Sequence, residues 1–260
     1  MISRKKKYMR NQPPRPLLSN AAQKKLLEKT KAILDITNLQ ERKTKARSSY
    51  DMARKTKWFA PVVQALSGLS GSGELCMYCS SSEASQIDHY RPLSIFPDKA
   101  FDFENYLWAC DICNRTYKGE RFPPDTEPGE MILNPLDDNV WDYFFLDENH
   151  GRLLRRIDPV TQMFLPRATS TCDIVGIDRQ NVQSNRQRRY KRLRENVQSA
   201  LDRFRDGTIT HADLCAELNE CRTEPFQADV SDYFLNGPGR VNEPFRSALQ
   251  AAGEVVPEAL

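Results

Sequence analysis

The stretch Cys76-Met77-Tyr78-Cys79, with Cys110-Asp111-Ile112-Cys113 about thirty residues further on, decides the fold of this chain. Structural zinc is bound tetrahedrally, most often by thiolates, so two Cys-x-x-Cys turns at this spacing predict a four-cysteine zinc site. Four thiolates leave zinc no open position, so the ion would be structural. The alternative is four reduced cysteines in a core, but polar or turn-forming residues flank each pair. The remaining three cysteines are expected to be free thiols.

A carboxylate, an imidazole and two amides lie inside or beside this cysteine frame. They are Asp88 and His89, then Asn105, then Asn114 directly after the last cysteine. A neutral imidazole can take a proton from water near pH 7, and oxygen donors suit Mg²⁺ or Mn²⁺. An isolated Asp-His pair is usually an ordinary surface feature. Within the cysteine frame it becomes a candidate for metal-dependent hydrolysis of phosphodiesters.

Local patterns between and around the cysteines predict a β-hairpin followed by a helix. Gln86–Leu93 reads as a strand, Tyr106–Ala109 as a second one, and the helix runs from near Asp111 to Gly119. Another hairpin is predicted about the turn Asn149-His150-Gly151. The predicted class is therefore α+β.

Helical patterns dominate both ends of the chain. One helix is predicted around Leu26–Leu34, a second from about Glu41 to Leu66, and an arginine-rich helix from about Arg179 to Phe204. The predicted organisation is a basic arm and helical extension over 1–66, a zinc-stapled ββα core over 67–150 and a mainly helical region over 151–260.

The net charge of +3 is distributed unevenly. Residues 1–57 carry 17 Lys/Arg against 4 Asp/Glu and residues 152–206 carry 13 against 6, whereas residues 76–150 carry 5 against 15. A polyphosphate partner needs cations, while a site for a catalytic cation needs anions. Basic flanks would therefore hold nucleic acid for an acidic middle. The alternative for the basic arm is a solvated or disordered tail.

The cysteine frame and its contents resemble the HNH endonucleases of the ββα-metal superfamily. Order and spacing both agree over about 45 residues, and the matching segments are Cys76–Cys79, Ile87–Leu93, Glu104–Leu107 and Cys110–Arg115, with Lys118-Gly119 behind.

The resemblance implies a role for each polar residue in the frame. His89 would be the general base that activates water, and Asp88 and Asn114 would bind one catalytic Mg²⁺ or Mn²⁺ ion. Asn105 would brace the loop and help to hold His89. The implied activity is cleavage of DNA.

A wider resemblance extends to about residue 200. Phe122-Pro123, Ile132–Pro135, Asp137-Asp138 and Gly176–Arg179 are similar to segments of the HNH nucleases of retron and Septu-type anti-phage systems. In that family the nuclease commonly works beside a separate ATPase that controls it. The resemblance therefore implies a role in phage defence and an ATPase subunit as partner.

Two groups of cations are candidates for contacts to DNA. Near the site, Arg91 either contacts phosphate or pairs with an acid, and Arg115 and Lys118 either hold DNA or form a solvated helix face. Many family members place the lysine three residues after the asparagine, whereas Lys118 is four after Asn114. The second group lies on the arginine-rich helix, at three-residue spacing: Arg186, Arg189 and Arg192. Such a row can follow a phosphate backbone without reading bases; the alternative is a docked helix with arginines in water.

The sequence also predicts where the protein works. No apolar run approaches the ~20 residues of a membrane-spanning helix, and the basic start at Met1 has no apolar core of a secretory signal after it. A cytoplasmic protein is expected. Two other functions stay open: a zinc-stapled nucleic-acid or partner-binding module without catalysis, and a nuclease directed at RNA.

Overall fold

The computed structural model describes residues 15–70, 75–80, 83–123, 132–223 and 228–258. The first fourteen residues of the predicted basic arm lie outside them. The chain divides into two compact units. Among the described residues, the cysteine unit comprises residues 15–132 and 173–176, and the helical unit comprises residues 133–172 and 177–258. The predicted division into three segments stays a prediction.

A two-stranded antiparallel sheet forms the centre of the cysteine unit. Strand β1 is Ala84–His89 and β2 is Tyr106–Cys110, with Ile87 opposite Trp108 and His89 opposite Tyr106. A helix follows directly: Asp111 begins it, and Ile112–Lys118 is a π-helix. The predicted order of hairpin and helix is therefore present. β2 is buried along its whole length.

Three α-helices precede this sheet. They are α1, Asn20–Leu34, α2, Leu39–Ala53, and α3, Ala60–Gly68, with a 3₁₀ turn at Lys57–Phe59 before α3. The single helix predicted over Glu41–Leu66 is thus interrupted. Pro61 fits the start of α3 rather than the interior of one long helix, because proline has no N–H and its ring clashes with the carbonyl four residues earlier, whereas it is tolerated in the first turn of a helix.

Aromatic rings fill the core between these helices and the hairpin. Tyr106 and Phe59 are fully buried, and Tyr50 of α2 lies 6.0 Å from Tyr106 and 5.8 Å from Phe59 between ring centroids. At the far end of the unit, Gly176 has φ of +67°, and a Cβ there would lie 2.4 Å from the ring of Tyr117. These contacts fix α2 and the π-helix relative to the strands.

The described residues of the helical unit contain the second hairpin and five α-helices, the first of which runs on into residues 173–175 of the cysteine unit. Strand β3, Phe144–Asp147, pairs antiparallel with β4, Arg152–Arg155, around the predicted turn. The helices are α4, Pro166–Val175, α5, Gln180–Arg205, α6, His211–Thr223, α7, Ala228–Ser231, and α8, Phe245–Ala251. The two small antiparallel sheets among helices confirm the predicted α+β class.

The arginines of α5 do not share one environment. Arg186 is buried and pairs with Asp229 at 3.1 Å, and Arg189 pairs with the same carboxylate at 2.8 Å, whereas Arg192 is exposed. Each step of three residues falls about 60° short of a full α-helical turn, so Arg186 and Arg192 point about 120° apart. The row predicted as one DNA-facing stripe is corrected in this respect: Arg186 belongs to the packed face and only Arg192 to the exposed one.

Within the described ranges, no helix combines the length and the apolar character that crossing a membrane would require.

Candidate functional site

Four cysteine sulfurs come together at one end of the hairpin. The Sγ atoms of Cys76, Cys79, Cys110 and Cys113 all lie within 4.8 Å of one another, and all four residues are buried. Cys79 Sγ and Cys110 Sγ are 3.9 Å apart. Tetrahedral zinc with Zn–S bonds of about 2.3 Å requires sulfurs roughly 3.8 Å apart. The cluster can therefore bind a metal ion such as zinc.

The hairpin itself brings the two cysteine turns together. Met77 N donates to Trp108 O at 2.8 Å, which ties the first turn to β2, and Cys113 N donates to Cys110 Sγ at 3.4 Å. In the crowded cluster, hydrogen bonds from neighbouring thiols lower the pKa of Cys110 to about 7, while burial raises that of Cys76. Cys113 and Cys76 thus favour the thiolate form of Cys110, which is the form that binds a divalent cation.

Asp88 lies at the end of β1 and is 3% exposed. Its Oδ2 accepts from the Tyr78 hydroxyl at 2.7 Å and its Oδ1 from Lys118 Nζ at 3.0 Å. Burial raises the pKa of the Asp88 carboxyl, and the Lys118 ammonium and Tyr78 hydroxyl offset part of that rise. Tyr78, inside the first Cys-x-x-Cys turn, thus links the cysteine cluster to the candidate site.

His89 points into a buried aromatic setting. Its ring centroid lies 4.4 Å from that of Tyr50 and 5.1 Å from that of Tyr106, both edge to face. His89 Nε2 lies 3.1 Å from Ala100 O; because a carbonyl only accepts, Nε2 carries the proton and Nδ1 holds the free lone pair. Burial lowers the pKa of His89 to about 3, so the ring is neutral near pH 7.

Asn105 fastens the chain that follows His89. Its Oδ1 accepts from Arg91 N at 2.8 Å, and its Nδ2 donates to Arg91 O at 3.0 Å and to Lys99 O at 3.2 Å. Its own carbonyl accepts from Tyr90 N at 2.9 Å. One buried side-chain amide therefore holds the beginning and the end of the loop that follows His89.

The oxygen donors of Asp88 and Asn114 line the same cleft. Asn114 Nδ2 donates a hydrogen bond to Gln86 Oε1 at 2.9 Å. This orientation leaves Asn114 Oδ1 available to coordinate a cation. A carboxylate has about four lone-pair sites, of which hydrogen bonds from Tyr78 and Lys118 use two at Asp88. The donor set fits a hard divalent ion. The nearby ammonium predicts weak binding of that ion by the protein alone.

Lys118 is fully buried, and its position depends on the π-helix. Lys118 Nζ also donates to His89 O at 2.8 Å, and Gly119 N donates to Asn114 O at 2.7 Å, a five-residue separation. A π turn takes one residue more than an α turn, and π-bulges recur at functional sites. The predicted contact between Lys118 and DNA is corrected, because this ammonium faces Asp88.

The candidate site opens into a cleft of about 910 Å³. Besides the residues named from the sequence, its lining includes cations and an aromatic ring from α2 and the turn after it: Arg47, Tyr50, Arg54 and Lys55. Sequence reasoning did not identify these residues or Tyr78 as part of the site. The excess of Lys and Arg over residues 1–57 indicated a basic region but not which of its cations would line the cleft. Arg115 is exposed and pairs with Asp111 at 3.3 Å, and Arg91 is half-buried.

Comparisons with protein-family models, with curated proteins and with solved structures find no match to this chain.

Proposed function

We propose that this chain is a metal-dependent endonuclease of the HNH type that hydrolyses phosphodiester bonds of DNA. One observation carries the proposal: a neutral imidazole, His89, shares a cleft with the oxygen donors of Asp88 and Asn114. A base and a cation site are the two groups that attack on a phosphodiester by water requires. The four-cysteine cluster would hold a structural zinc ion that fixes this hairpin.

His89 would act as the general base. With Nε2–H donated to Ala100 O, the lone pair of Nδ1 would take a proton from the water whose oxygen bonds to phosphorus. The bridging P–O bond breaks, and the leaving oxygen takes a proton from solvent. An imidazole with a pKa near 3 is a weak base in the free protein. An anionic phosphodiester in the cleft favours the imidazolium and raises the basicity of the ring as the substrate arrives.

Other residues of the site would hold the base and the substrate in place. Tyr50 and Tyr106 fix the plane of the imidazole, and Asn105 fixes the loop beside it. Asp88 and Asn114 would hold one Mg²⁺ or Mn²⁺ ion, which when bound would neutralise charge on the phosphate.

Cleavage of a supercoiled plasmid with Mg²⁺ or Mn²⁺ tests the proposal. His89→Ala is expected to reduce the rate by about 10²- to 10⁴-fold, the usual contribution of a general base. His150→Ala is the matched control, because His150 is an exposed histidine in the turn between β3 and β4. Equal rates for wild type and His89→Ala would remove His89 from the proposed role.

A binding module without catalysis is the competing proposal, and the ion pair between Asp88 and Lys118 is the observation that favours it. Such a module would bind DNA equally well with and without His89 and Asn114, and would cut nothing. Parallel digestion of RNA and DNA separates a nuclease directed at RNA from one directed at DNA.

The biological setting rests on the resemblance to anti-phage nucleases. We propose a cytoplasmic effector nuclease that works with an ATPase subunit. Plasmid cleavage by the chain alone, compared with cleavage after co-expression with an ATPase encoded beside it, tests the partnership. Identical cleavage in both samples would contradict control by such a subunit.

A further inference from the structure

One wall of the cleft comes from helix α2, which lies outside the cysteine frame. Arg47 and Tyr50 of α2, with Arg54 and Lys55 directly after it, line the cleft that also contains His89. Arg47, Asp51 and Arg54 are four and then three residues apart, which places them on one side of the helix. Arg47 and Arg54, called here the cationic face, therefore form part of the wall of the cleft.

The position of this face relative to the base is fixed by packing. Tyr50 lies between the two arginines in sequence, and its ring contacts His89 at 4.4 Å between centroids. A group bound by this face would lie beside the reacting atoms.

The arginines have carboxylate partners, but the pairs are open to water. Arg47 lies 2.5 Å from Glu120, with both side chains more than half exposed, and Arg54 lies 3.4 Å from Asp51. Exposed ion pairs of this kind contribute little to stability. An arriving phosphate can replace these carboxylates, and guanidinium groups bind phosphate well because of their planar donor geometry.

We propose that Arg47 and Arg54 bind the backbone phosphates of the DNA strand whose ester faces His89, and that Glu120 competes with that strand for Arg47. The inference rests on the proposed nuclease function and names how its substrate is held. Seven residues of α-helix span about 10 Å. A strand lying along α2 advances about 3.4 Å per nucleotide, so the two arginines would contact phosphates roughly three nucleotides apart.

The two members of the Arg47–Glu120 pair should affect DNA binding in opposite directions. Binding of a short fluorescein-labelled DNA duplex is measured by fluorescence anisotropy over a series of NaCl concentrations, with no added divalent ion so that nothing is cut. Arg47→Gln is expected to weaken binding by about threefold to tenfold and to reduce the slope of log Kd against log salt by about one. Glu120→Gln is expected to tighten binding by about twofold to fivefold, since the competing carboxylate is gone.

A second exposed ion pair supplies the control. Lys25 and Glu28 pair at 2.9 Å on α1 of the same unit, with comparable exposure, and neither lines the cleft. Lys25→Gln and Glu28→Gln change the net charge by the same amounts. The inference is supported if Arg47→Gln and Glu120→Gln change the Kd for DNA in opposite directions and by larger factors than Lys25→Gln and Glu28→Gln do. Equal shifts at both pairs would show a net-charge effect only and overturn it.

Binding and cleavage separate this inference from the function on which it rests. Wild type that binds DNA with the expected shifts but never cuts it would leave the phosphate contacts standing and defeat the nuclease proposal. Wild type that cuts DNA but binds equally well after Arg47→Gln would defeat the inference alone. No binding by wild type at low salt would overturn it as well.

Discussion

The buried ion pair between Lys118 and Asp88 gives the sharpest prediction for stability. Lys118 has no exposed side chain, and that of Asp88 is 4% exposed. Lys118→Met keeps the length of the side chain and removes the ammonium. Asp88 Oδ1 and His89 O then each lose a buried hydrogen bond.

The cost follows from what is left behind. Removing one partner of a buried pair typically costs about 3–5 kcal/mol, because the other charge stays buried without compensation. Asp88→Asn removes the negative charge beside the Lys118 ammonium and leaves it only neutral acceptors, so its expected cost is of similar size. The double variant removes both charges. It should be less destabilised than the sum of the two single variants by at least about 2 kcal/mol.

Urea unfolding followed by far-ultraviolet circular dichroism, with zinc in excess throughout, measures all four proteins. The exposed pair of Lys25 and Glu28 provides the comparison, and Lys25→Met is expected to leave the unfolding midpoint unchanged. An unchanged midpoint for Lys118→Met would refute the reasoning. The reasoning would also be refuted if the losses in free energy of unfolding of the two single variants added up to that of the double variant. Such losses are additive for independent sites but not for a coupled pair.

Three further outcomes are expected. Wild type should bind one zinc ion per chain by elemental analysis, and Cys79→Ser should lose it while Cys215→Ser, outside the cluster, retains it. The pKa of His89 falls to about 3 from its ordinary 6.5, so the folded state gains stability from this group above pH 6.5 and loses it as pH falls toward 3. Between pH 7 and 5.5, wild type should therefore lose about 1 kcal/mol more of its free energy of unfolding than His89→Gln. An equal loss in the two proteins over this pH range would contradict the prediction. Gly176→Ala should lower stability by roughly 3 kcal/mol in urea unfolding, because it adds a clash to positive-φ strain. Gly207→Ala, with φ of +77° and open space around it, should cost only about 1 kcal/mol, and equal losses would rule out the clash.

Local chemistry made much of the cysteine unit predictable. The Cys-x-x-Cys turns carry their metal geometry within a few residues, and the hairpin and helix between them have short-range signals of period and turn. The placement of Cys76 near Cys110 followed from those signals alone. The oxygen donors of the cleft could be named because they lie within the same local frame.

The sequence did not indicate which residues far apart along the chain would contact each other. Helical spacing tells which arginines share a face, but Asp229, which pairs with Arg186, lies 43 residues further along the chain. Likewise, nothing in α2 indicates that Tyr50 packs on His89. The ion pair of Lys118 depends on whether a turn is α or π, and no simple pattern of residues encodes that difference.

The π-helix has a consequence for the charge beside Asp88. With Gly119 N bonded to the carbonyl five residues earlier, the winding of Ile112–Lys118 sets the direction in which Lys118 leaves the helix. Rewinding the same residues as an α-helix would rotate Lys118 about the axis relative to Cys113 and turn its amine away from the carboxylate. The choice of backbone hydrogen-bond partner therefore decides whether this buried acid has a cation for a neighbour.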